Sequence, residues 1–130
     1  MKVLVTVGTT SFDELVEAVD SSPVREVLAA CNYAEVVCQI GKGLVQPTHS
    51  TFFTYSDQFE ELVAEADLII CHAGAGSILS GVRKNKKVIA VVNKRLMDNH
   101  QQELASAMAD LGHILCCAGP EHLAATVSAS

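Results

Sequence analysis

The strongest constraint on the fold of this chain is a repeating order of segments. A short apolar run gives way to a glycine or polar break, and then to a stretch whose apolar residues recur at helical spacing. The first run, Lys2-Val-Leu-Val-Thr-Val7, is rich in β-branched residues and stops at Gly8, so it reads as a strand buried on both faces. Further strands are expected at residues 35–40, 51–55, 67–71, 88–92 and 114–117. Between the first two, Phe12, Leu15, Val16 and Val19 fall on one helical face, and Ser21-Ser-Pro23 breaks the chain before Val24, Val27 and Leu28 define a second. The hydroxyls of Thr9, Thr10 and Ser11 are expected to cap the first of these helices, and Asp57 to cap a third that turns Phe59, Leu62 and Val63 inward. Helices are also expected up to about residue 84, from about residue 98 to 111, and after Pro120. Strands alternating with helices predict an α/β fold with a mainly parallel sheet covered by helices on both faces.

At 130 residues and 49% hydrophobic content, the chain suits one substantial core, and no repeat or linker divides it, so a single domain over residues 1–130 is expected. Nine Lys and Arg against fifteen Asp and Glu give a net charge of −6, which provides no broad basic surface for nucleic acid. Any phosphate must then be held locally, by backbone N–H groups and helix dipoles. The five cysteines form no C-x-x-C pair and sit in apolar surroundings, which suits buried thiols in a reducing compartment. The opening apolar run is too short for a secretory segment and no run reaches the ~18 residues of a membrane span. A soluble cytosolic chain is expected.

Three clusters could carry chemistry. After the strand at 67–71 comes His72-Ala-Gly-Ala-Gly-Ser77, a turn whose small residues let the backbone approach a ligand at a helix start. The second, Asp98-Asn-His-Gln-Gln102, opens a helix with groups that both donate and accept, as sugar hydroxyls require. Gly8-Thr-Thr-Ser11 is the third. Each has a plain alternative as a tight turn or a cap, and a lone His at a strand end is more often structural. A parallel strand order would bring all three to the carboxyl edge of one sheet, where open α/β folds bind ligands. The dinucleotide fingerprint is incomplete, since Leu79 stands where its third glycine belongs, and no Walker, zinc-protease or serine-esterase motif is present. Glu60, Glu61 and Glu65 read as a solvated helix face.

Val5-Thr-Val-Gly-Thr-Thr-Ser-Phe-Asp-Glu-Leu15, Gln39-Ile-Gly41, Ala66-Asp-Leu-Ile-Ile-Cys-His-Ala-Gly-Ala-Gly-Ser77 and Val91-Val-Asn-Lys-Arg-Leu-Met-Asp-Asn-His-Gln101 resemble the C-terminal donor-binding domain of glycosyltransferase family 28. The resemblance implies a Rossmann-like unit, one half of a GT-B enzyme, with UDP-GlcNAc as donor and no obligatory metal or other cofactor. It implies inverting transfer to dolichyl-diphosphate-GlcNAc, with the acceptor bound by a separate membrane-anchored acceptor-binding subunit on the cytosolic face of the endoplasmic reticulum and the general base expected on that partner or at the cleft. By position in the motifs, Gly8, Thr9 and Thr10 belong to the first diphosphate loop, and Tyr55 and Ser56 border the uracil. Gly74, Ala75, Gly76 and Ser77 form the second diphosphate turn beside His72, while Asn99, His100 and Gln101 meet the sugar. Family members usually place a glutamate on the ribose where this chain has Ser80, which removes charge-assisted hydrogen bonds and very roughly 1–3 kcal/mol of donor affinity. That departure leaves a second expectation, a relative that keeps the fold and partner binding but holds donor weakly or not at all.

Overall fold

The computed structural model describes residues 1–7, 11–54, 57–72, 86–91, 114–117 and 119–129. In chain order these form β1 (Lys2–Thr6), α1 (Asp13–Asp20), α2 (Ser22–Ala30), β2 (Glu35–Gln39), β3 (Thr51–Phe53), α3 (Phe59–Glu65), β4 (Leu68–His72), β5 (Lys87–Val91), β6 (Ile114–Cys117), a 3-10 turn (Pro120–His122) and α4 (Leu123–Ala129). The six strands make one sheet in the order β3–β2–β1–β4–β5–β6, and every neighbouring pair is parallel. The chain therefore builds outward from β1 through β2 to β3, then returns so that β4 lies on the other side of β1. Strand order thus reverses between β1 and β4, and in such sheets the carboxyl ends of the strands at that point are the usual ligand position.

The period-two pattern of the strands sorts the core into two layers. Val3, Val5 and Val7 of the first strand segment, Leu68 and Ile70 of β4, and Ile89 and Val91 of β5 share one face, which packs against Phe12, Leu15, Val16, Val24 and Leu28 and against Leu123 and Val127 of α4. Leu4, Ile69, Cys71, Val88, Ala90 and Ile114 share the other face with Val63 and Ala66, while Phe59 and Leu62 pack at its margin. Both faces of the central strands are thus closed to water. This explains why their sequences are almost continuously apolar and not alternating.

The amino edge of the sheet is tied together. The Lys2 N–H donates to an Asp67 carboxylate oxygen at 2.8 Å and the Asp67 N–H donates to the Lys2 carbonyl at 2.8 Å, joining the starts of β1 and β4. Ala34 N–H donates to the Met1 carbonyl at 3.0 Å, which does the same for β1 and β2. The exposed Glu65 meets Lys2 Nζ at 3.2 Å, and Glu60 and Glu61 are also exposed, as the solvated face requires.

Two expected caps are absent. The N-cap of α1 is Phe12, with no side-chain cap bond, and Ser11 stands exposed beside it. Burying a phenylalanine ring is worth about 1.5–3 kcal/mol, more than the ~1 kcal/mol of a hydroxyl cap, and Phe12 is buried. Asp13 and Glu14 in the first turn complement the helix dipole instead. For α3 the N-cap is Gln58, again without a side-chain cap bond, and Asp57 is exposed in the preceding turn. The helices expected to about residue 84 and over 98–111 lie outside the described residues, as do Thr9 and Thr10. Among the described residues, no helix is long and apolar enough to cross a membrane.

Candidate functional site

At the carboxyl edge, four strands lead into the segments singled out from sequence. Gly8, Thr9 and Thr10 follow β1, Tyr55 and Ser56 follow β3, Gly74, Ala75, Gly76, Ser77 and Ser80 follow β4, and Asn99, His100 and Gln101 follow β5. All of these residues lie outside the described ones. The strands that feed them are in register: Thr6 sits opposite Gln39 and Cys71, and Cys71 opposite Ala90. Their carboxyl ends therefore line up at one edge, so segments distant in sequence leave the sheet side by side.

His72 is the expected site residue whose surroundings are described. It ends β4, opposite Val91 of β5, and is half-buried. Its Nδ1 is buried and has no hydrogen-bond partner among the described residues. Burial holds the imidazole pKa below its ordinary value of 6.5, so the ring is neutral at neutral pH. A neutral imidazole can present either a donor or an acceptor at Nδ1, and a buried nitrogen with no partner costs about 1–3 kcal/mol. A ligand polar group at this edge would recover that cost.

Two residues that sequence reasoning passed over lie at the same edge. Thr6 and Gln39 are buried polar side chains in otherwise apolar strands, and Thr6 Oγ1 donates to Gln39 Oε1 at 2.9 Å. The Gln39 carbonyl also accepts the Val7 N–H at 3.2 Å. A threonine and a glutamine near the ends of two otherwise apolar strand segments were the available signal.

The loop after β2 is held by two carboxylates of α1. Asp13 Oδ1 accepts from the N–H groups of Leu44 and Val45 at 3.1 and 3.4 Å. Asp20 accepts from the Thr48 N–H and hydroxyl and from the His49 N–H, the last at 2.8 Å. Partial burial tends to raise the Asp20 pKa, but these donors outweigh it and leave the carboxyl below its ordinary 3.8. Gly43 is required here by space, because a Cβ would lie 2.5 Å from Asp13 Oδ1 and 2.9 Å from the Ile40 carbonyl oxygen. Neither clamp is legible along the chain, since each joins residues about thirty positions apart.

The described thiols suit the core and not catalysis. Burial pushes Cys38 up to about 11 and Cys71 up to about 12, which leaves almost no thiolate at neutral pH. Cys117 is also buried, while Cys31 is half-buried. A groove of about 630 Å³ lies elsewhere, lined by Phe12, Glu17, Val24, Pro120 and Ala124 among others. It includes none of the residues expected at the site. The His72 nitrogen and the buried Thr6–Gln39 pair lie instead at the strand-order reversal.

Comparison with known proteins agrees with this topology. Residues 2–130 match the glycosyltransferase family 28 C-terminal domain. Over 123 residues the chain is 43% identical to the UDP-N-acetylglucosamine transferase subunit ALG13 of Mus musculus, covering 89% of this chain and 10% of that protein. The chain thus spans about a tenth of the length of that relative. A solution NMR structure of ALG13 superposes with a TM-score of 0.76 at 27% identity, covering 99% of this chain and 84% of that one. The crystal structure of the glycotransferase of kitacinnamycin superposes with a TM-score of 0.70 at 23% identity over 98% of this chain and 34% of that one, a likeness of fold.

Proposed function

The chain belongs to the glycosyltransferase family 28 C-terminal domain family, with the Rossmann-like fold of one half of a GT-B glycosyltransferase, and from that premise we propose that residues 1–130 form a single UDP-sugar-binding domain. Its function is that of the donor-binding subunit of an inverting N-acetylglucosaminyltransferase, active only with a membrane-anchored acceptor-binding subunit. The acceptor is dolichyl-diphosphate-GlcNAc, presented by that partner at the cytosolic face of the endoplasmic reticulum. The observation that carries the donor reading is the carboxyl edge at β1 and β4, where His72 keeps a buried Nδ1 with no hydrogen-bond partner among the described residues, next in chain to residues 73–77.

In the reaction, the acceptor hydroxyl oxygen forms a bond to the anomeric carbon as the bond from that carbon to the UDP oxygen breaks. The acceptor proton passes to a base contributed by the partner, and the negative charge gathers on the diphosphate. Backbone N–H groups of Gly8, Thr9 and Thr10 and of Gly74, Ala75, Gly76 and Ser77 hold that charge, with His72 alongside. Tyr55 and Ser56 border the uracil, Ser80 faces the ribose, and Asn99, His100 and Gln101 hold the sugar hydroxyls. With nine basic residues against fifteen acidic ones, local capture of this kind is what the composition allows.

Titration of the isotopically labelled chain with UDP-GlcNAc tests the reading directly. Shifts at Gly74 to Ser77 and at Gln101 are expected at millimolar ligand. A silent titration would eliminate donor binding and leave the second reading, a non-catalytic relative, which Ser80 favours. Transfer from UDP-GlcNAc by the chain co-expressed with its acceptor-binding subunit then separates a catalytic subunit from a binding module.

A further inference from the structure

On the α3 side of the sheet, the side chains change character at the last rung. One rung nearer the amino edge, Val37, Leu4, Ile69, Val88 and Ile114 of β2, β1, β4, β5 and β6 lie in register, all aliphatic, with Thr51 of the edge strand β3 beside Val37. At the rung that meets the carboxyl edge, β2, β1, β4 and β5 place Gln39, Thr6, Cys71 and Ala90, which are small or polar, while the edge strand β3 places Phe53 beside Gln39. Gln39 is 4% exposed and Thr6 0%, so both side chains are withdrawn from water, and they meet in a hydrogen bond of 2.9 Å.

Stability does not require that arrangement. A buried neutral hydrogen bond contributes little net free energy, and replacing both partners by apolar groups of the same shape is close to neutral. What the pair adds is direction. Apolar contacts are non-directional, whereas a hydrogen bond tolerates a few tenths of an ångström. Gln39 holds the end of β1 twice: its side chain takes the Thr6 hydroxyl, and its carbonyl takes the Val7 N–H at 3.2 Å. Val7 is the residue immediately before Gly8.

We propose that Thr6 and Gln39 are positioning residues for donor binding, which set the exit of β1 so that residues 8–10 meet the diphosphate. The inference rests on the donor reading above and names residues which that reading did not use. They act through the backbone of β1 and do not touch the ligand. Because an error of about 1 Å in placing a binding group can cost on the order of a hundredfold in rate, a directional tether at this rung has a function that an aliphatic pair would not supply.

The test separates affinity from stability. In the near-isosteric double variant Thr6→Val/Gln39→Met, the melting temperature should equal or exceed that of the unaltered chain, while UDP-GlcNAc binds about tenfold more weakly, a loss of ~1.4 kcal/mol. Thr6→Ser, which keeps the hydroxyl, should retain affinity within about twofold, and Thr6→Val alone should lose about threefold. Unchanged affinity in the double variant overturns the proposal, as does a Thr6→Ser loss equal to that of Thr6→Val. Should the double variant not fold, the Thr6→Val titration decides alone, and unchanged affinity there overturns the proposal equally. An unaltered chain that binds no UDP-GlcNAc would instead remove the donor reading and this inference with it.

Discussion

His72 and Asp20 respond to acid for opposite reasons and in different ranges. For His72, burial lowers the pKa of the folded chain below 6.5, the ordinary value that the unfolded chain keeps. As pH falls through 6.5, the unfolded chain takes up the proton first, so stability declines until the folded-state pKa is passed. We expect the urea midpoint to fall between pH 8 and pH 5.5, and a His72→Phe variant to show a shallower decline over the same interval. An equal slope in the variant would show that desolvation of His72 is not its source. For Asp20, the folded pKa lies below 3.8, so its contribution is complete above that value and is lost as pH falls through the folded-state pKa. Asp20→Asn should therefore flatten the acid limb of the stability profile below about pH 4 and leave the limb near pH 6 unchanged. Neither property is written in the residue type alone, since each depends on what the fold places beside the group.

At the level of elements, the loop after β2 and helix α4 make separable predictions. Gly43→Ala inserts a methyl 2.5 Å from Asp13 Oδ1 and 2.9 Å from the Ile40 carbonyl oxygen, and should destabilise by about 1–3 kcal/mol in urea unfolding. In an Asp13→Ala background the penalty should shrink without vanishing, because the Ile40 backbone still obstructs the methyl. A penalty unaffected by Asp13→Ala would place the strain in the backbone alone. Helix α4 returns the chain to the face of α1 and α2, where Leu123 and Val127 are fully buried. Leu123→Ala should cost about 2–5 kcal/mol, far more than an exposed surface change, and equilibrium unfolding measures it. The helical periodicity of α1, α2 and α3 was legible because Leu15, Val16, Val24, Leu28 and Val63 point to one side of each helix. The cap residues were not, since Phe12 and Gln58 hold those positions for reasons of packing and chain entry.

Across the whole molecule, the two closed faces of the sheet predict how its thiols behave. Cys71 is in the central strand β4 and Cys38 in β2, both buried, whereas Cys31 ends α2 half-buried. A thiol reagent followed by mass spectrometry should modify Cys31 well before Cys38 or Cys71, whose labelling should wait for opening of the fold. Rapid native labelling of Cys71 would contradict the packing described for β4. The fold class and the six strands were readable from the chain, with shifts of one or two residues at their ends: β1, β4 and β5 because strands buried on both faces are almost continuously apolar, and β2, β3 and β6 as short runs set between polar or glycine breaks. For the same reason the alternation with helices already implied parallel pairing. Strand order was another matter: only the folded sheet places β4 against β1, sets Gln39 opposite Thr6, leaves His72 Nδ1 without a partner and draws Asp13 and Asp20 to a loop about thirty residues on. Burial of apolar surface is a property of composition and period, and so is written locally along the chain. Pairing between distant polar groups depends on which segments become neighbours, and that is decided only when the whole chain has closed on itself.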